Sequence, residues 1–202
     1  MQTHSPLLLN LVLCGDSCVG KSALLQSFLH SSFQPDYRPT VTTEVRRAQV
    51  QASSGQTVQL QLWDVAGDER YLSLGAVFFR SAHCGLLLCD LTSPKSLDSL
   101  ESWRSEFLSL ASPAQPDSFP FIVIGTKKDR EKDRRIPFTK GYMWARNTGN
   151  CLYFEVSAMD FTDVRRVFRE VIDRVIHGEG YKPSESVLPS PQVAHKRRCR
   201  CC

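Results

Sequence analysis

The chain has 202 residues, 42% of them hydrophobic, and a formal net charge of +4. That length gives one domain of ordinary size with a full core, and the charge is too modest to indicate a nucleic-acid binder. No stretch reaches the ~20 apolar residues that cross a bilayer, and the eight cysteines read as neither a disulfide framework nor a metal set.

The apolar run Leu7 to Cys14 predicts a buried strand. No basic residue precedes it and it leads straight into a glycine-rich loop, so it is expected to be a strand and not a signal peptide. Residues 15–22 read Gly-Asp-Ser-Cys-Val-Gly-Lys-Ser, the spacing G-x-x-x-x-G-K-[ST] of a phosphate-binding loop. Gly15 and Gly20 let successive N–H groups turn toward one anion. Lys21 supplies a point charge for the β- and γ-phosphates, and Ser22 offers a hydroxyl to Mg²⁺. Leu24, Leu25, Phe28 and Leu29 follow at helical spacing, which puts the phosphates at a helix N-terminus. A chance glycine turn is the competing reading, and the flanking strand and helix argue against it.

Val58, Leu60 and Leu62 alternate with polar residues and predict a strand with one face more buried. Cys84 to Cys89 and Phe121 to Ile124 are continuous apolar runs, as in buried parallel strands. Cys14, Cys84, Cys89 and Cys151 lie on such runs and read as core residues of a reducing compartment. Ser93-Pro94 opens a helix, continued by Leu97, Leu100, Trp103 or Arg104, and Phe107.

Gly125-Thr-Lys-Lys-Asp129 follows the second apolar run. A carboxylate there accepts two hydrogen bonds from guanine, whose ring N–H and amine adenine lacks, so Asp129 points to guanine selection. The stem of Lys127 can lie along the base. A further strand, Leu152 to Val156, ends in Ser157-Ala158, whose backbone N–H groups can reach the guanine carbonyl. The stripe Val164, Val167, Phe168, Val171, Ile172, Val175 and Ile176 predicts a long core-facing helix that Gly178 and Gly180 stop.

Beyond Gly180 the composition shifts to Pro183, Pro189, Pro191 and serines, as in a flexible tether. It ends Lys196-Arg-Arg-Cys-Arg-Cys-Cys202. From Gly178 onward there are five basic residues and two acidic ones, so much of the positive charge sits in this tail.

These motifs, in this order, resemble the Rab family of small GTPases in the Ras superfamily. Trp63-Asp64-Val65-Ala66-Gly67-Asp68-Glu69-Arg70 is similar to the family's W-D-T-A-G-Q-E-R, and Phe78 to Ala82 is similar to its Y-Y-R-G-A. Leu88 to Thr92 follows the next Rab segment. Trp103 to Phe107 and Ser118 to Phe121 most resemble the late-endosomal Rab branch. The resemblance implies an α/β domain over residues 1–177, a mostly parallel six-stranded sheet with helices on both faces, and a basic tail over 178–202. It implies GTP/GDP and Mg²⁺ as ligands. Nucleotide contacts are implied for residues Gly15, Asp16, Ser17, Cys18, Val19, Gly20, Lys21, Ser22 and Ala23. They are also implied for Phe33, Tyr37, Thr40, Gly67, Thr126, Lys127, Asp129, Ser157 and Ala158. Ser22, Thr40 and Asp64 are the implied metal residues, and Lys21, Gly67 and Asp68 the catalytic ones. Cys201 and Cys202 match the terminal Cys-Cys prenylation signal. Cys199 also starts a C-a-a-X frame, which Arg200 fits poorly. Effectors, an exchange factor, a GTPase-activating protein, a prenyl-binding chaperone and an endomembrane surface are the implied partners.

Four positions depart from the pattern. Asp68 replaces the glutamine that orients the attacking water, and an ionised carboxylate only accepts hydrogen bonds, so slow intrinsic hydrolysis is expected. Cys18 replaces a common glycine, Thr126 an asparagine and Met159 a lysine. The expected protein is a membrane-anchored GTP/GDP switch. Its rivals are a GTP-loaded module nearly inert in hydrolysis, a degenerate switch serving as a scaffold, and an ATP-using enzyme. Asp129 and the switch motifs argue against the last, and Asp68 leaves the first two open.

Overall fold

A computed structural model describes residues 7–34, 43–67, 76–149 and 151–178. The strands are β1 (Leu7–Cys14), β2 (Glu44–Gln51), β3 (Thr57–Asp64), β4 (Cys84–Asp90), β5 (Phe121–Thr126) and β6 (Leu152–Glu155). The helices are α1 (Lys21–His30), α2 (Ala76–Arg80), α3 (Pro94–Asp98), α4 (Leu100–Ala111), α5 (Phe138–Asn147) and α6 (Phe161–Ile176). The strands form one sheet in the order β2-β3-β1-β4-β5-β6. Every pairing is parallel except the β2–β3 hairpin. The expected α/β fold is observed.

The apolar runs are continuous because the central strands are buried on both faces. Leu9, Leu11 and Leu13 of β1 join Leu60, Leu62, Leu86, Leu88, Ile122 and Ile124 under α1 and α6. Val12 and Cys14 point the other way, with Leu87, Cys89 and Val123, under α2 to α5. The predicted stripe on α6 supplies Val164, Val167, Phe168, Val171, Ile172 and Val175 to the first core. Phe28 of α1 stacks on Phe168 at 4.0 Å. The Asp160 side chain caps α6 by accepting from the Asp163 N–H at 3.0 Å.

Cys14, Cys84 and Cys89 are core residues, as expected, with burial pushing their thiols up and out of the reactive range. Cys151 is half-buried, and its thiol donates to the Thr148 carbonyl. The helix opened by Ser93-Pro94 is divided at Ser99 into α3 and α4. Ser99 keeps helical angles (φ −76°, ψ −11°), and the backbone bonds Ser99 N–H to Lys95 O and Trp103 N–H to Ser99 O measure 2.9 and 3.1 Å. The Ser99 hydroxyl also bonds the Lys95 carbonyl at 2.8 Å, a contact that bends helices.

This topology gathers the loops after β1, β3, β5 and β6 at the strand C-terminal ends, where ligands bind in open α/β sheets.

Candidate functional site

The loop between β1 and α1 is shaped by its backbone. Gly15 (φ +146°) and Gly20 (φ +99°) adopt angles that L side chains rarely reach. A Cβ on Gly15 would sit 2.4 Å from the Leu88 carbonyl oxygen. Cys18 occupies the left-handed region at φ +66° with its thiol exposed, where a glycine carries no Cβ penalty. Lys21 is buried, and its ammonium donates to the carbonyls of Gly15 at 2.6 Å and Asp16 at 2.9 Å. Burial lowers the Lys21 pKa, while Asp64 is the largest influence in the opposite direction.

Asp64 ends β3 directly across from this lysine. It is 1% exposed, and burial raises its pKa against the nearby Ser22 hydroxyl and the Lys21 charge. Ser22 lies close enough to favour the ionised form, yet neither carboxylate oxygen has a partner of full hydrogen-bond geometry. A buried carboxylate beside a hydroxyl and a loop for phosphate suits Mg²⁺, which takes one or two protein oxygens and keeps waters and phosphate oxygens. The donors present therefore fit that ion. Gly67 lies against the phosphate loop: its carbonyl accepts from Ser17 Oγ at 3.1 Å. A Cβ on Gly67 would meet Ser17 N at 2.3 Å and Asp16 C at 2.6 Å, so only glycine allows this approach.

A cavity of about 230 Å³ opens beside the loop. It is lined by Gly20 and Ala23, by Phe33, by Thr126, Lys127 and Asp129, and by Ser157, Ala158 and Met159. Phe33, Lys127, Asp129, Ser157 and Ala158, expected at the base, thus share this cavity with Gly20 and Ala23, expected at the phosphates. Asp129 Oδ1 accepts from Ser157 Oγ at 2.5 Å, and Ser157 Oγ accepts from the Met159 N–H at 3.1 Å. Phe33 and Met159 are exposed at 39% and 56%, so each has apolar surface available to a flat base.

Thr126 answers the question raised by the missing asparagine. Its hydroxyl lies between the Val19 carbonyl, at 2.5 Å, and the Cys89 carbonyl, at 3.0 Å. It thus ties β5 to the phosphate loop and to β4 at once. Lys127 has φ +60° and its ammonium pairs with Asp90 Oδ2 at 2.6 Å. Asp90 also accepts from the Thr92 N–H and hydroxyl at 2.8 and 2.7 Å. Burial alone would raise the Asp90 pKa; Lys127 and Thr92 outweigh it and the net shift is downward.

The loop before α5 is fastened to the end of β6. Arg134 grips Glu155 with two bonds of 3.0 and 2.8 Å, and the Tyr153 hydroxyl donates to Glu155 at 2.8 Å. The Glu155 pairing raises the Arg134 pKa, while burial and Glu155 raise that of Tyr153.

The structure thus brings together Gly15 to Ala23, Asp64 and Gly67 on the phosphate side. Phe33, Thr126, Lys127, Asp129, Ser157 and Ala158 gather on the base side. Tyr37, Thr40, Asp68, Cys201 and Cys202 lie outside the described residues. Asp90, Glu155 and Arg134 were missed as supporting residues; an acidic residue closing an apolar strand was the available signal for the first two.

The Ras family sequence model matches residues 10–177. This chain belongs to the Ras family. Its relatives place it among the Rab7-like small GTPases. It is 40% identical over 197 residues to a Ras-related protein Rab-7b of Paramecium octaurelia, covering 98% of this chain and 94% of that one. It is 42% identical over 175 residues to a Ypt/Rab-type GTPase Rab7 of Neurospora crassa, covering 86% and 84%. It is 34% identical over 204 residues to a Ras-related protein Rab-7a of Dictyostelium discoideum, covering 98% and 100%.

Proposed function

We propose that the protein is a GTP/GDP switch of Rab type that regulates vesicle or endosome trafficking, with slow intrinsic GTP hydrolysis. Residues 1–177 form the nucleotide-binding domain and residues 178–202 a basic tail prenylated at Cys201 and Cys202. The observation that carries this reading is the convergence of Asp129, Ser157 and Thr126 on one cavity beside the Gly15–Ser22 loop.

Asp129 accepts from the guanine edge through the oxygen that Ser157 leaves open. Lys21, with the N–H groups of the phosphate loop, holds the β- and γ-phosphates. Ser22, Thr40 and Asp64 would hold Mg²⁺, which would neutralise phosphate charge when bound. Gly67 meets the γ-phosphate through its N–H, and Tyr37 and Thr40 match the family's first switch, whose threonine meets the same phosphate. Both segments then respond to one phosphate group. Asp68 sits at the water-orienting position with an acceptor and no donor, so hydrolysis is slow.

Partner binding has a surface to use. Val45 of β2 is 40% exposed and pairs with Trp63 of β3, whose ring stacks on Phe78 of α2 at 4.0 Å. This apolar surface suits effectors, an exchange factor and a GTPase-activating protein. The relatives' Rab7 names support the cytoplasmic face of a late-endosomal or lysosomal membrane, with a cytosolic pool carried by a prenyl-binding chaperone. Lys196, Arg197, Arg198 and Arg200 each add ~1 kcal/mol of attraction near an anionic surface.

Competition against fluorescent GDP tests the reading. Unlabelled GTP and GDP displace the probe, and ATP in large excess leaves it bound. Displacement by ATP as readily as by GTP contradicts guanine selection.

A further inference from the structure

We propose that Asp16 is a positioning residue of the phosphate loop, clamped by Trp103 and Ser99 so that its carbonyl seats Lys21. The proposal rests on the guanine-nucleotide reading above and adds a determinant of how long nucleotide is retained.

Both Asp16 carboxylate oxygens are engaged by the α3–α4 segment. Trp103 Nε1 donates to Oδ1 at 2.7 Å. Ser99 Oγ shares its hydrogen between Oδ2 at 2.6 Å and the Lys95 carbonyl at 2.8 Å. The Asp16 side chain therefore faces α4, although the residue stands within the phosphate-loop motif. A buried indole N–H needs an acceptor, and Trp103 is 5% exposed. A carboxylate provides a charge-assisted one, stronger than a neutral partner.

The backbone of Asp16 does different work. Its carbonyl is one of two that hold the Lys21 ammonium, the other being Gly15. Its peptide with Ser17 is the surface on which Gly67 rests, close enough that a Cβ there would lie 2.6 Å from Asp16 C. The lysine and the loop after β3 meet the backbone of Asp16, and the α3–α4 segment meets its carboxylate. The Lys21 side chain is buried and its ammonium donates to these two carbonyls, so its placement depends on them. A small shift of the Asp16 carbonyl moves the cation that faces the phosphates.

The clamp also links the loop to α2. Phe107 lies one helical turn beyond Trp103 and packs edge-on against Phe79 of α2 at 5.1 Å. The same helix therefore touches α2 through Phe107 and the phosphate loop through Trp103.

Release of fluorescent GDP from the full chain, chased with unlabelled GDP in excess Mg²⁺, reads the proposal. Trp103→Phe keeps an aromatic ring, though a smaller one, and removes the N–H; Asp16→Ala removes both acceptors. Each should release GDP about tenfold faster, the scale of one hydrogen bond to a charged group. The double variant should be no faster than the faster single one, because both changes remove the same contact. Asp16→Asn keeps an acceptor for the indole and should recover part of the retention. A clamp that served stability alone would lower the denaturation midpoint and leave release unchanged. Wild-type release in both single variants, or rates that multiply in the double variant, overturns the proposal. If Trp103→Phe fails to fold, Ser99→Ala carries the comparison: faster release supports the clamp and unchanged release overturns it. A wild-type chain that retains no GDP contradicts the guanine reading itself, and the clamp's role in retention falls with it. Retention by wild type with unchanged release in the variants contradicts the clamp alone.

Discussion

Ser157 Oγ donates to Asp129 Oδ1 at 2.5 Å, joining the loop after β6 to the loop after β5 across the base cavity. One carboxylate oxygen is thereby fixed in direction and the other is left to accept from a ligand. Guanine presents two donors on one edge, and loss of a buried charged partner costs ~2–5 kcal/mol in a binding site. Asp129→Asn should therefore shift preference toward xanthine nucleotides, whose base carries a carbonyl in place of the amine. Ser157→Ala should keep guanine selection and weaken affinity by about tenfold, since it frees the carboxylate without removing it. Equilibrium titration with GDP, XDP and ADP separates the two effects; unchanged GDP affinity in Asp129→Asn would count against the assignment.

Asp64 makes the nucleotide-free protein pH-sensitive. Burial raises its pKa more than Ser22, Lys21 and Arg46 lower it. Its native pKa thus lies above the unfolded value of about 3.9, and the native state binds more protons than the unfolded state in between. Stability from this group is full below the unfolded pKa and declines as pH rises through the native one. In nucleotide-free protein, Asp64→Asn should flatten that decline and raise the melting point at neutral pH. The same change should weaken Mg²⁺-dependent retention of nucleotide. Melting curves taken across the acid range on both proteins check this; parallel pH profiles would show that Asp64 is not the source.

Much of this arrangement was legible in the sequence because its signals are local. Leu7 to Cys14, Cys84 to Cys89 and Phe121 to Ile124 announce strands buried on both faces, and β1, β4 and β5 lie there. The guanine-side residues could be grouped because each directly follows such a strand. β2 was not read: only Arg46, Ala48 and Val50 face inward on this edge strand, and none of its residues is fully buried. α5 escaped for a similar reason, since its buried residues are the small Gly141 and Ala145. Gly141 is itself explained only by the fold, because a Cβ there would lie 2.3 Å from the Tyr153 hydroxyl. Contacts between residues distant in sequence were out of reach. Trp103 reads as a core residue at helical spacing, and nothing local shows that its N–H reaches Asp16.

The proposed slow hydrolysis rests on Asp68, which replaces the glutamine of the family's W-D-T-A-G-Q-E-R. At a water-orienting position an ionised aspartate would supply an acceptor and no donor, and would add negative charge to a negative transition state. Intrinsic turnover should be below that of Asp68→Gln by about tenfold, or ~1.4 kcal/mol of barrier. Single-turnover GTP hydrolysis on both proteins, without an activator, measures it. Equal rates would make Asp68 a bystander.

The proposed membrane attachment rests on the terminal Cys201-Cys202 pair, which resembles the Rab prenylation signal. Two lipid chains anchor durably where one is marginal. Changing Cys201 and Cys202 together to Ser should move the protein to the cytosolic fraction and leave GDP affinity unchanged, because the nucleotide cavity is built from residues 20–159. Recovery of the double variant with membranes would contradict lipid anchoring.

The most direct test is the identity of the nucleotide that leaves the purified full-length protein on denaturation. The expected result is a guanine nucleotide at close to one per chain, with a GTP fraction that grows when Asp68 is retained and shrinks in Asp68→Gln. Release of an adenine nucleotide, or of none, would contradict a guanine-nucleotide switch.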